Sequence, residues 1–191
     1  MKKKRIAIFG GSFNPIHNGH IKLGETVLKE IPEIEKVLFV VSPQNPLKDP
    51  ETLLPFLTRV SVAISALRDY PGLEVSGVEE VLPKPSYMIN TLDYLKDQNP
   101  VLIVGGDCWN DIEKWKDYER IVQEYGVVVY TRPGVVLEEK LGLTPLYVIQ
   151  SPMKDDISSS MIRERIKNHL SIKNLVPENV EDYIIQKWSL H

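Results

Sequence analysis

The chain has little of what would mark several common protein classes. Cys108 is its single cysteine, so no disulfide can form within the chain, and a reducing, cytoplasmic setting is the expectation. No apolar run approaches the roughly 20 residues that a spanning helix needs, so no membrane segment is expected. The basic start Met1–Arg5 is followed only by Ile6 to Phe9, too short for the core of a signal peptide and better read as a first buried strand. Positive charge is not in excess: the net charge of −3 argues against a general nucleic-acid binder, and phosphate ligands would have to be met by a few local cations. Repeats and low-complexity stretches are absent. So are two familiar phosphate loops, G-x-x-x-x-G-K-[ST] and G-x-G-x-x-G.

What is present is a globular composition, with 42% hydrophobic and 26% charged residues over a length that suits one domain, residues 1–191. Short apolar runs recur at Arg5–Phe9, Lys36–Val41, Leu73–Val78, Val101–Val104, Val127–Tyr130 and Leu146–Ile149, several ending at glycine or proline. Such runs are expected of strands buried on both faces. Between them lie helix-like stretches. Phe56 to Leu67 carries Leu57, Val60, Ile64 and Leu67 at amphipathic spacing; Ile89, Leu92, Tyr94 and Leu95 mark another helix, and Ile121 and Val122 a third. The alternation predicts an α/β fold, a doubly wound and mostly parallel sheet with helices on both faces. Ligands then belong beyond the carboxyl ends of the strands. The proline-rich piece Ser42–Pro50 is a long loop at that edge.

The most informative stretch is Gly10-Gly11-Ser12-Phe13-Asn14-Pro15-Ile16-His17-Asn18-Gly19-His20, leaving the first strand and entering a helix that runs to about Lys29. Glycine lets backbone approach a ligand, and a helix start offers N–H groups to an anion. His17 and His20, three apart, stand on one face as the cationic donors. Two other readings stay open: one histidine caps the helix while the other fills a pocket, or both share a zinc ion, which would need further ligands from Cys108, His169, His191 or carboxylates at no motif spacing. Near the other end, Asp155-Asp156-Ile157-Ser158-Ser159-Ser160-Met161-Ile162-Arg163 opens a C-terminal helical part of about 158–191. Serines cap a helix start, and Arg163 in the first turns can reach a phosphate there.

These two stretches resemble the H-x-G-H and I-S-S-T-x-I-R motifs of the nucleotidylyltransferase superfamily, whose domain is Rossmann-like. The middle of the chain narrows the resemblance to the nicotinate mononucleotide adenylyltransferases. Pro85-Ser86-Tyr87-Met88-Ile89-Asn90-Thr91-Leu92 is similar to their P-S-Y-T-x-[DN]-T-L segment, and Gly105-Gly106-Asp107, eight residues before Trp115 on Asp107's count, to G-A-D-x-L…W. Ser42 to Lys48 stands where that family has P-x-x-x-P-P-H-K. Thr131-Arg132-Pro133-Gly134 resembles its R-P-G turn, and Leu175 to Val180 its closing L-P-x-x-V. The chain departs at Met88, which removes a hydroxyl expected near the nicotinate carboxylate, at Asn14 in place of aspartate, and at Leu47 in place of histidine.

The resemblance implies adenylyl transfer from ATP to nicotinate mononucleotide, giving deamido-NAD and pyrophosphate, with Mg²⁺ bridging phosphate oxygens and held mainly through substrate and water. It implies ATP contacts at Gly10, Gly11, Ser12, Phe13, His17, His20, Gly105, Asp107, Ile157, Ser158, Ser159 and Arg163, with His17, His20, Lys48 and Arg163 carrying the chemistry. The acceptor would meet Lys48 at its phosphate, Asp107 at its ribose, Ser86, Tyr87, Met88 and Trp115 around the ring, and Arg132 nearby. An indole suits a flat pyridine, whereas Trp109 and Trp188 are expected to fill the core. No protein metal centre is implied, and a homo-oligomer is left open. Rival readings are the same chemistry on nicotinamide mononucleotide or pantetheine phosphate, and a non-catalytic nucleotide sensor.

Overall fold

The computed structural model describes residues 4–43, 53–132, 134–151 and 157–189. All six expected strands form: β1 Arg5–Gly11, β2 Ile34–Val41, β3 Leu73–Ser76, β4 Pro100–Gly105, β5 Val127–Thr131 and β6 Tyr147–Gln150. They make one sheet of order β3-β2-β1-β4-β5-β6 in which every neighbouring pair is parallel. Chain order reverses at β1, which pairs with both β2 and β4. In a sheet wound both ways from its middle, the crevice at that reversal is where ligands bind.

Alternation along the strands explains why both faces are covered. Ala7, Phe9, Val37, Phe39 and Val41 bury toward one cluster, which also holds Val27 of helix α1 (Asn18–Glu30), Val62 of α2 (Phe56–Leu67) and Ile184 of the C-terminal helix. Ile6, Ile8, Leu38 and Val40 bury toward the other, with Leu92 of α3 (Met88–Tyr94), Trp109 of α4 (Gly106–Asn110) and Ile121. Ile121 follows α5 (Tyr118–Arg120) in a wide turn closed by a Gly126 N–H bond to the Ile121 carbonyl at 3.1 Å. Gly126 then takes a φ of +80°, which only glycine adopts without strain. The C-terminal part contributes α6 (Ser159–Lys167) and α7 (Glu178–Ser189). Trp109 and Trp188 are core residues, as expected.

Helix α2 corrects one expectation. Its buried face carries Arg59, Val62, Ala63, Ala66 and Leu67, while Leu57 and Ile64 of the predicted stripe are 73% and 56% exposed. Alanines at the contact let the helix lie close to the sheet and to α7, and Arg59 is drawn inward by backbone carbonyls. Side-chain size along the helix therefore misled the periodicity, because close packing selects small residues.

Candidate active site

The exit of β1 is shaped by two close approaches. A Cβ on Gly10 would stand 2.5 Å from Met88 Cε, so the tip of the first side chain of α3 lies close over the strand end and would have to swing aside for any larger residue. Phe13 adopts a φ of +44°, a costly conformation for a bulky residue, and its buried ring meets Phe9 and His20 edge-on at centroid distances of 5.7 and 5.0 Å. Beyond it, Asn14 Oδ1 accepts from the Leu54 N–H and from Trp188 Nε1, each at 3.2 Å. The turn is thus pinned by the C-terminal helix, which explains how an asparagine serves at this position.

At the start of α1 the two histidines are stacked, 3.6 Å between ring centroids. His20 Nδ1 accepts from the His17 backbone N–H at 3.2 Å, which leaves the proton of neutral His20 on Nε2. Stacked rings present their nitrogens side by side rather than converging, so this arrangement does not suit a shared zinc ion. His17 is buried, and desolvation, with the Arg132 charge second, lowers its pKa to about 3. It is neutral at pH 7, unlike the cationic donor read from the sequence. Asn18 ties the same helix start to the closing segment of the chain, with its N–H on the Leu175 carbonyl at 2.9 Å and its amide on those of Asn174 and Val176.

Facing this helix start is the start of α6. Ser158 Oγ accepts from the Met161 N–H at 3.1 Å, the capping role that serine favours. Ser159 Oγ donates to the Pro15 carbonyl at 2.9 Å, joining the two signature segments directly. Arg163 Nη1 donates to the Asn14 carbonyl at 2.9 Å, and Nη2 to Ser160 Oγ at 3.1 Å, so the guanidinium is set across the same junction. Burial lowers its pKa.

Two cavities open here. The first, about 490 Å³, is lined by Phe13, His17 and His20 on one side and by Ile157, Ser158, Ser159 and Arg163 on the other. Arg132 also lines it, which puts that residue with the histidines rather than beside the acceptor ring. The second, about 590 Å³, is lined by Ser86, Tyr87, Met88, Asp107 and Trp115. Asp107 belongs to this cavity alone, although the sequence reading gave it to both substrates. Gly10, Gly11 and Ser12 line both cavities, so the two meet at the β1 exit. Ser12 Oγ is buried there with no hydrogen-bond partner among the described residues. Gly105 lines neither; an added Cβ would come within 3.2 Å of Tyr130 Oη. Lys48 lies outside the described residues.

Sequence reasoning missed Arg59. It is 1% exposed and donates to four carbonyls: Nε to Leu54 at 2.8 Å, Nη1 to Ser12 at 2.6 Å and Ser42 at 2.9 Å, and Nη2 to Pro43 at 2.9 Å. Desolvation lowers its pKa to about 10, so it stays charged at pH 7. One buried cation thereby fixes the turn between the cavities and both ends of the long loop after β2. The only sequence signal was a charge within an otherwise apolar helix. Among the described residues no group of three or more His, Cys, Asp or Glu is placed to hold a metal ion. No helix among them is long and apolar enough to cross a membrane.

Comparison with known proteins bears on the family and on the fold. Residues 8–165 match the model of the family described as cytidylyltransferase-like. A protein of Flavobacterium psychrophilum named "Probable nicotinate-nucleotide adenylyltransferase" is 38% identical over 186 residues, 94% of this chain and 95% of its own length. A protein of the same name from Bacteroides fragilis is 38% identical over 191 residues, covering 98% and 94% of the two chains. Among solved structures, the Plasmodium falciparum nicotinic acid mononucleotide adenylyltransferase complexed with NaAD superposes with a TM-score of 0.77 over 96% of this chain and 95% of that one. At 22% identity, that likeness speaks for the fold.

Proposed function

The chain belongs to the cytidylyltransferase-like family, and within it to the nicotinate-nucleotide adenylyltransferases, and we propose from its two joined cavities how it carries out that family's reaction. It transfers the adenylyl group of ATP to nicotinate mononucleotide, giving deamido-NAD and pyrophosphate. The observation that carries the proposal is the shared wall of Gly10, Gly11 and Ser12: a cavity between two helix starts meets a ring-sized cavity at one strand end. ATP occupies the first, with its triphosphate between the starts of α1 and α6. Nicotinate mononucleotide occupies the second, with its ring by Trp115 and Met88 and its phosphate toward Ser12.

The acceptor's phosphate oxygen attacks the α-phosphorus; that P–O bond forms as the bond to the β-phosphate oxygen breaks, and pyrophosphate leaves. A phosphate monoester has its second pKa at about 6 and is already ionised near pH 7, so no general base is required. Catalysis then rests on alignment and on donors aimed at the phosphoryl oxygens. His20 is placed to donate through Nε2–H to the α-phosphate. His17, neutral and buried, holds His20 in register by stacking and by its backbone N–H. Arg163 and the N–H groups opening α6 receive the β- and γ-phosphates, which become the leaving group. Ser12 Oγ, buried and without a hydrogen-bond partner among the described residues, supplies a donor where the two phosphates meet.

The donor set around the first cavity is histidine, serine, arginine and backbone, which suits a metal ion that arrives on its nucleotide. Mg²⁺ carried on the ATP phosphates would neutralise charge as it shifts to the leaving pyrophosphate. A cytoplasmic setting, where ATP is supplied and the exposed thiol of Cys108 stays reduced, fits the reaction. The test is pyrophosphate release from ATP and Mg²⁺ with nicotinate mononucleotide, nicotinamide mononucleotide and pantetheine phosphate in parallel. Release with the first, and far less with the third, is expected. Equal release with pantetheine phosphate would refute the acceptor assignment.

A further inference from the structure

Behind the acceptor cavity lies a buried carboxyl group that the reaction itself does not use. Glu79 is 4% exposed and sits in a short 3₁₀ turn, Val78–Glu80. Its Oε1 accepts from Thr91 Oγ1 of α3 at 3.0 Å, and its main-chain carbonyl accepts from Lys84 Nζ at 2.6 Å. Burial pushes its pKa up, while the hydroxyls of Thr91, Ser42 and Ser86 and the Lys84 charge favour the ionised form. Glu79 Oε2 and Ser86 Oγ are both buried and make no hydrogen bond of full geometry among the described residues, although the Ser86 hydroxyl is near enough to act on the carboxyl group. An unpaired buried carboxylate oxygen is expensive, so a small closing movement that joins the two is favourable.

Ser42, on the other side, is itself cross-linked. Its N–H donates to the Gly11 carbonyl at 2.9 Å, and its own carbonyl accepts from Arg59 Nη1 at 2.9 Å. Ser42, Glu79, Ser86 and Met88 all line the acceptor cavity. A continuous path of buried polar contacts therefore leads from the β1 exit through Ser42 and Glu79 to the segment that begins α3.

We propose that Glu79 is a positioning residue for the acceptor: through Ser42, Thr91 and Ser86 it sets the Ser86–Met88 segment against the β1 exit and so sets affinity for the acceptor's ring. This rests on the reading of the second cavity as the acceptor site. Glu79 is not within the phosphate cavity, so its influence falls on one substrate rather than on the chemical step.

Steady-state kinetics of the full chain with ATP, Mg²⁺ and nicotinate mononucleotide separate these effects. Glu79→Gln keeps the shape but turns one acceptor oxygen into a donor; it is expected to raise the acceptor KM by about tenfold, the scale of one buried hydrogen bond lost. The ATP KM and kcat should stay within about twofold, since uniform binding to one substrate is what is lost. Ser42→Ala leaves the Ser42 main-chain bonds to Gly11 and Arg59 in place, and about a threefold rise in the acceptor KM is expected for loss of one of the several hydroxyls around the Glu79 carboxyl. The double variant should be no worse than Glu79→Gln alone, because the two groups act as one unit. Should Glu79→Gln not fold, Ser42→Ala decides. An unchanged acceptor KM in either folded variant, or equal rises in both KM values, would overturn the inference. Wild-type protein inactive with nicotinate mononucleotide would overturn the functional reading as well.

Discussion

The two cavities proposed for the phosphates and for the acceptor share a wall but are built differently. The first is made at two helix starts, from N–H groups, stacked histidines and an arginine locked onto a main-chain carbonyl. Its hydrogen bonds run between segments far apart in the chain, such as Ser159 to Pro15 and Asn18 to Leu175. The second is assembled from a strand end, a strap before α3 and a tryptophan in a loop, with Tyr87 capped by the Lys116 ammonium at 4.8 Å. Phosphate is bound by fixed donors at fixed spacing, which tolerates little change. A ring is bound by contact area, which many side chains can supply.

Four changes probe that difference. His20→Ala removes a donor aimed at the reacting phosphate and should lower kcat by about 100- to 1,000-fold, the usual loss for one preorganised donor. Saturating both substrates separates this from binding, and near-normal turnover in the folded variant would remove His20 from its role. Trp115→Ala should leave the ATP KM alone and raise the acceptor KM by roughly fivefold, since an aromatic contact contributes about 0.5–1.5 kcal/mol beyond its buried area. A matching rise in the ATP KM would erase the division between the cavities.

Met88→Thr restores a hydroxyl at the ring and should shift the ratio of kcat/KM for nicotinate over nicotinamide mononucleotide by about threefold toward the acid, the scale of one neutral hydrogen bond. A ratio that does not move would mean that main-chain donors already recognise the carboxylate.

The last effect is on stability rather than on catalysis. His17 is neutral in the fold down to about pH 3 but titrates at its ordinary 6.5 when unfolded, so the unfolded chain takes up the proton first. Stability from this residue is complete above about pH 6.5 and declines as pH falls toward 3. Melting temperatures from pH 8 to 4.5 should therefore drop less steeply in His17→Asn than in the wild type.

Much of this was legible in the residues. The inner strands β2, β1, β4 and β5 are short, mostly apolar runs, because a parallel sheet covered on both faces leaves little polar side to interrupt them, whereas the edge strands β3 and β6 carry exposed positions. The histidine and serine segments are each contiguous, so both could be picked out directly, and the structure brings them to one cavity. Arg59 could not, since its partners are main-chain carbonyls that leave no sequence signature. Glu79 is equally silent: its partners Ser42, Thr91 and Ser86 are common residues at unremarkable spacings. That Arg132 lines the cavity of the histidines was equally hard to read, since it depends on sheet order rather than on local pattern.

The most direct test of adenylyl transfer to nicotinate mononucleotide uses ATP labelled in its α-phosphate, with both the small molecules and the protein assayed for label. The account predicts label in deamido-NAD, an equal amount of unlabelled pyrophosphate, and none on the protein. Label fixed to the protein, or left on ATP while nicotinate mononucleotide is unchanged, would contradict it.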